Sequence, residues 1–576
     1  MKNKNKKGIQ RKTLVFNILA IICIILFCVA ISPVTMQNDT YYTVKVGESI
    51  IENGIDGKDH FSWHENLNYE YPHWLYDVMM YFIYNMGGWT GIYISTIVFT
   101  CILGILLYLT NVKISKNHIV PFVLTIGAIY LIKSYIAARA QLVTFILFIL
   151  EIFFIERFLR NRKIGYAVGL LLISLLIANL HVAVWPFFFV LFLPYIAEYL
   201  ICVVVDLDLI LKIKTLVSLI KKKIFFKKPE KVKMLDEKIE QLELQRENIK
   251  QRRENNRKHP YKIKIERNKN VKYLILIMLI AALLGLCTPL GTTPYTYLID
   301  TMQGNTPKNI NEHLPLTLIN QKDILGLLII VIALLMLTDI KIKLRDLFMF
   351  GGLVILALMS RRQISMLILI GMPIYCKLIL SFFKKYKCMD DAKKLFKEMT
   401  GLYGFCITLC IFVIVSTNMY KPKLDDEYVD ESSYPVQACD YILENLDISN
   451  MRIYNEYNYG SYMLYRGIPV FVDSRADLYT PEFNPGCTVF DDFLNISNIG
   501  TYYENKFDEY DITHVICFKN AKLNNIGENR IKAAHLNILE DTENVRSKLN
   551  IFLSRNYEYK ELYSDDRFVI YERDVV

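Results

Sequence analysis

Long apolar runs without a polar face constrain this chain more than any other feature. A soluble amphipathic helix shows water a polar residue at every turn. The runs here continue for about seventeen or more residues, close to the length that crosses a hydrocarbon core. The chain has 576 residues, of which 53% are hydrophobic and 13% aromatic, and the apolar content is concentrated in these runs. The runs lie at 13–34, 89–110, 118–135, 140–157, 164–180, 183–205, 272–289, 324–339, 346–360, 364–382 and 401–417. The fold class they predict is an α-helical polytopic membrane protein with about eleven transmembrane helices.

The basic residues then set the direction. Lys2, Lys4, Lys6, Lys7, Arg11 and Lys12 precede the first run. That run is too long for a typical signal-peptide core and no small-residue cleavage site follows it, so it reads as an uncleaved first span. With the N-terminus in the cytoplasm, the predicted cytoplasmic loops carry Lys113 and Lys116; Arg157, Arg160, Arg162 and Lys163; segment 206–271; Lys341, Lys343 and Arg345; and Lys384, Lys385, Lys387, Lys393 and Lys394. The outer loops carry few, and the positive-inside rule holds at each turn. The net charge of +10 is therefore a topology signal rather than a nucleic-acid footprint. The twelve cysteines are scattered, with no CxxC and no disulfide framework.

Four regions follow: a membrane region 1–205 containing a first outer loop 36–88, a basic cytoplasmic insertion 206–271, a second membrane region 272–417, and an extracytoplasmic α/β domain 418–576. In the insertion, Leu235, Ile239, Leu242 and Ile249 are spaced near a heptad, predicting a short coiled coil or helical hairpin. Its lysines suit either anionic headgroups or a module that binds a protein partner. In the first outer loop, HWLYDVMMYFIYNM (73–86) predicts an interfacial or re-entrant helix ended by Gly87-Gly88. In the last region, 434–446 predicts a helix, and MRIYNEY, IPVFVDS, THVICF and RFVIYER predict strands. NYGSYMLYRG (458–467) reads as a strand–turn packing motif, though its aromatics would also suit sugar stacking.

Ionisable residues at a membrane surface carry functional information. In this topology several share the outer level: Asp39 after the first span, Arg139 in AARAQ, His181 in a tight turn, Glu312 and His313 in loop 290–323, and Arg361 and Arg362 in another turn. Trp74, in the aromatic first loop, joins them. A carboxylate there can serve as general base on an acceptor hydroxyl. Arginines can hold a phosphate through bidentate, charge-assisted contacts. Asp39 and Glu312 are the candidate catalytic residues; Arg139, His181, His313, Arg361, Arg362 and Trp74 are the candidate substrate-binding residues. Each has a plainer reading: Asp39 as a helix cap, the arginines as interfacial anchors, Asp56 and Asp59 as turn residues. No GxGxxG or GxxxxGK[ST] phosphate loop occurs, which argues against a nucleotide-driven pump.

The order NDTYYTVKVGESIIENG, HWLYDVMMYFIYNMGG, AARAQLVTF, ANLHVAVWPFFFV, CTPLGTTPYTYL with INEHLPL, SRRQISMLILIGMP and YNEYNYGSYMLYRGIPVFVDSRADLY resembles bacterial multi-pass proteins of the C-type glycosyltransferase superfamily. Their plan is similar to protein O-mannosyltransferases and to the enzymes that add aminoarabinose to lipid A. The resemblance implies a multi-pass cell-membrane transferase that moves a sugar from a polyprenyl-phosphate donor to a glycan, lipid or protein acceptor at the outer face. It implies that the acid of the first outer loop, here Asp39, is the base. Where the mannosyltransferases carry an adjacent Asp-Glu pair, this chain has Asn38-Asp39. Some members of the superfamily use a divalent metal ion; the single acid in this loop speaks against one here. The residues themselves also admit a non-catalytic assembly protein or a transporter of lipid-linked sugar.

Overall fold

The computed structural model describes residues 2–204, 208–226, 228–258, 262–266, 268–310, 312–498, 502–520 and 548–574. The last residue of the predicted run 183–205, parts of the predicted insertion (206–207, 227, 259–261 and 267) and Asn311 of the INEHLPL stretch lie outside the described residues. The chain is mostly helical. Five stretches are long and apolar enough to cross a membrane: Gln10–Ile31, Trp74–Ser115, Val182–Cys202, Arg361–Lys385 and Leu402–Lys423. Shorter apolar helices at Ile119–Leu131, Ile164–Leu180 and Val271–Leu284 match predicted runs. So do the helices Ala140–Asn161, Lys322–Leu337 and Leu344–Met359.

Two of these stretches are broken for local reasons. The amphipathic stretch 73–86 and the run after it lie within Trp74–Ser115 as two helices that meet at a kink at Gly88, which takes φ 57° and ψ −149°. Glycine bears that non-helical backbone without strain, so the Gly-Gly pair ends the first helix, as expected, and the second starts directly after it. The run 183–205 is broken into a 3-10 turn Val182–Val184 and helices Trp185–Val190 and Leu193–Val204. Pro186 and Pro194 lack a backbone donor, and each sits in the first turn of a new helix, where none is needed.

Loop 36–88 begins with helix Asn38–Asn53, which packs on Trp74–Ser115. The fit depends on Gly47: a Cβ there would stand 2.2 Å from the Asp77 carbonyl oxygen. Asp39 lies inside the first turn of this helix, and its N-cap Gln37 makes no side-chain capping bond, so Asp39 is not the cap.

In the last region the strands run in the order Ile453–Tyr454, His514–Phe518, Phe568–Arg573, Tyr559–Ser564. The first pair is parallel and the other two are antiparallel. Helix Val436–Asn445 appears where predicted. Two expectations fail. Residues 457–465 are a helix, not a strand and turn; Tyr459 and Tyr462 are buried, and the turn falls after it at Gly467, φ 83°. IPVFVDS is not a strand of the sheet. Val470 makes only an isolated bridge to Ser62, and Val470, Phe471 and Val472 are all buried, so the alternation of a half-buried strand is absent.

This domain is bound to loop 36–88 through buried polar contacts. Arg475 lies 2.7 Å from both Asp59 and Asp473, with all three side chains 2% exposed or less. The Trp63 Nε1–H donates to the Ile453 carbonyl at 3.0 Å. Asn484 takes the Asn68 N–H at 2.7 Å and donates to the Asn68 carbonyl at 3.0 Å. Asp59 also accepts the Ser62 N–H, so it makes the expected turn and an inter-domain ion pair together.

The opposite end of the helix bundle is held by another ion network. Lys377 lies 2.9 Å from Asp346 and 3.5 Å from Glu156, and Arg345 lies 3.7 Å from Glu198. The short strand Ile263–Lys264 pairs with Ile342–Lys343, and Lys343 reaches Glu266 at 2.7 Å.

Candidate functional site

A cavity of about 630 Å³ lies between one end of the helices and the C-terminal domain. Five separate segments deliver the expected residues to it: Asp39 from helix Asn38–Asn53, Arg139 from the N-cap of Ala140–Asn161, His181 from the end of Ile164–Leu180, and Glu312, His313 and Arg362 from two adjoining loops. Those two loops are paired through their backbones, the Arg362 N–H donating to the Glu312 carbonyl and the Arg361 N–H to the Leu314 carbonyl, each at 3.0 Å.

Arg139 is the hub. Its Nε lies 3.0 Å from an Asp39 oxygen, and its Nη1 donates to both oxygens of Glu312 at 2.8 and 3.1 Å. Burial alone would weaken its charge, but the two carboxylates hold the guanidinium more firmly protonated than usual. Burial pushes the Glu312 carboxyl up, and Arg139 and Arg362 outweigh it, so Glu312 ionises below the usual carboxylate range. Arg362 forms no ion pair among the described residues. One of its terminal nitrogens sits 3.5 Å from His181 Nε2, while His181 Nδ1 lies 3.1 Å from the Thr144 hydroxyl.

The imidazoles around Arg362 are neutral. Burial and Arg362 push His73 down to about 3 and His313 to about 4, the latter against the pull of Glu312. Burial, His73 and Arg362 push His181 well below its usual value. The cationic wall is therefore made by arginine.

The facing wall is acidic and hydroxylic. Asp477 accepts hydrogen bonds from Tyr297, Thr306 and Thr301 at 2.9, 3.0 and 3.1 Å. Burial raises its pKa in spite of these bonds. Glu70 lines the same wall, with its carboxyl pushed up by burial and by Asp300. Tyr42, Tyr69 and Tyr457 complete the lining. A crevice of about 20 Å³, shared with the cavity at His181 and Arg362, continues between Phe145, Phe148, Phe187 and Met366.

Two expected residues lie elsewhere. The Trp74 Nε1–H donates to Asn179 at 3.2 Å, behind the cavity wall. Arg361 turns away from the cavity: its Nε donates to the Pro315 carbonyl at 3.4 Å, and its own carbonyl accepts the Tyr135 hydroxyl at 2.7 Å. Glu70, His73 and Tyr297 were not anticipated. Glu70 carried a faint signal, as a lone acid between Tyr69 and Tyr71.

Among the described residues no group of three or more His, Cys, Asp or Glu side chains could hold a metal ion. Asp39 and Glu312 are both turned to the same arginine, an arrangement that does not fit a divalent cation shared between them. Comparison with known proteins finds no matching family model and no matching curated protein.

Proposed function

We propose that this cavity is the active site of a membrane glycosyltransferase of the C-type superfamily, moving a sugar from a polyprenyl-phosphate donor to an envelope acceptor. The observation that carries the reading is the pairing, in one cavity, of an arginine without an ion pair among the described residues, Arg362, with a carboxylate held in place by a second arginine, Asp39 on Arg139. Arg362 takes the donor phosphate as a charge-assisted contact, with Arg139 beside it. Asp39 accepts the proton of the acceptor hydroxyl. The hydroxyl oxygen forms its bond to the anomeric carbon as the bond from that carbon to the phosphate oxygen breaks. The electron pair leaves on the polyprenyl phosphate, so no nucleotide is consumed. Glu312 orients Arg139 from the side opposite Asp39. The apolar crevice beside Arg362 is where a lipid chain would leave the cavity, and it must widen to admit one.

The five stretches long and apolar enough to cross a membrane, with the shorter apolar helices beside them, support a cell-membrane enzyme of this plan. The loop lysines support a cytoplasmic N-terminus and an extracytoplasmic cavity and C-terminal domain.

The test is sugar transfer by purified protein in lipid, with a panel of polyprenyl-phosphate sugars and native envelope extract as acceptor. Asp39→Asn is expected to lower transfer by about 10²- to 10⁴-fold, the scale of a lost general base, with the protein still inserted and folded. Undiminished transfer by Asp39→Asn, or no transfer by folded wild type with any donor, would overturn the reading.

A further inference from the structure

The helix Asp208–Ile224 has no role in the cavity, which lies at the other end of the bundle, yet its surface is divided with unusual regularity. Successive residues turn by about 100° around a helix. Ile210, Ile213, Leu216, Val217, Ile220 and Ile224 therefore share one face, and each is exposed, from 37% for Ile210 to 70% for Ile224. Leu211, Thr215 and Ser218 form the opposite face and are buried. That face packs on the helix Pro229–Lys258, whose stripe Leu235, Ile239 and Leu242 is turned toward it. The hairpin is clasped by an ion pair between Lys222 and Asp236. Lysines border the exposed apolar stripe on both sides: Lys214 and Lys221 along one edge, Lys212 and Lys223 along the other.

We propose that residues 210–226 form an interfacial helix that lies in the surface of an anionic bilayer. Its apolar stripe enters the acyl boundary and its lysines rest among the phosphate headgroups. Two observations select this occupant over a protein. A protein-binding helical seam is bordered by charges of both signs, which fix partner and register. Here both borders are cationic, the arrangement of a membrane-surface helix. The hairpin is also tethered at membrane level on both sides. It follows within a few residues of the apolar helix ending at Val204, and the chain after it is pinned by the Ile263–Lys264 strand and Glu266 to the start of helix Leu344–Met359. Phe226, 76% exposed, extends the apolar stripe beyond the last helical turn. The polar helix Pro229–Lys258 is left on the water side.

The test uses full-length protein reconstituted into vesicles, with a fluorescent amino acid incorporated in place of Ile220 or, as a control on the polar helix, in place of Glu240. Vesicles of phosphatidylcholine, with or without about a third phosphatidylglycerol, carry brominated acyl chains as quencher. The expected result is at least a twofold loss of emission at position 220 and none at position 240. Quenching at 220 should weaken when Lys214, Lys221 and Lys223 are changed to Gln, and should be stronger with the anionic lipid. Absence of quenching at 220 in anionic vesicles would overturn the proposal. So would cross-linking of two copies through that position without quenching, because the stripe would then be a subunit seam. Equal quenching with and without phosphatidylglycerol would overturn the anionic preference.

Discussion

Among the described residues Arg139 holds two carboxylates while Arg362, in the same cavity, holds none, so the two cations differ in what they can offer an anion. An anion reaching Arg139 must displace a side chain already tethered there. We expect Arg362→Ala to lower kcat/KM by about tenfold or more, with turnover falling as well as donor binding, because negative charge grows on the departing phosphate that Arg362 holds. The histidines lead to a second expectation. His73 and His313 titrate in the folded protein at about 3 and about 4, below their ordinary value of 6.5. The unfolded chain takes up these protons as pH falls below about 6.5, whereas the folded chain resists until about 4 to 3. Stability should therefore be level above pH 7 and fall progressively between about 6.5 and 3. The Glu312 contact with Arg139 is lost in the same direction, as pH falls through its depressed value. Thermal midpoints across pH 3–9 check this, and an activity profile should lack an imidazole inflection near 6.5. Asp39, Arg139, His181, Glu312 and Arg362 were legible because charge at a membrane edge is costly and stands out in a run of apolar residues. Arg361 and Trp74 were indistinguishable from them in sequence, since only the backbone pairing of two loops decides that Arg361 points away.

At the scale of elements, the helix that carries Asp39 is seated by Gly47, whose neighbour is a backbone carbonyl that cannot move aside as a side chain would. Gly47→Ala is expected to cost about 1–3 kcal/mol through overpacking. It should also lower transfer by shifting Asp39, and thermal stability measured alongside activity would register both. Helix boundaries were largely readable, because a run of apolar residues is both the signal and the cause of a membrane helix. Residues 457–465 were not: tyrosines favour strands on a half-buried surface, but here they are buried among other rings, such as Tyr462 against Tyr41. The sheet was legible in three of its strands, and Tyr559–Ser564 was missed because its charged residues hide the pattern.

For the molecule as a whole, the hairpin and the cavity occupy opposite ends of the bundle. Replacing 208–258 with a flexible linker, keeping Lys262–Glu266, should leave transfer in detergent within about twofold of wild type, since no residue of the hairpin lines the cavity. The ties that roof the cavity were beyond sequence reasoning, for Arg475 and Asp59 stand 416 residues apart and nothing local marks them as partners. Because these charges are buried, removing Arg475 leaves the Asp59 and Asp473 carboxylates without their cation, at about 3–5 kcal/mol. That tie, with the three hydroxyl bonds to Asp477, makes the C-terminal domain and the loops beneath it a single cooperative unit. Calorimetry of the intact protein should show the domain melting together with the membrane-side loops in one endotherm. Arg475→Gln should split it into two, the domain unfolding first while the helices remain.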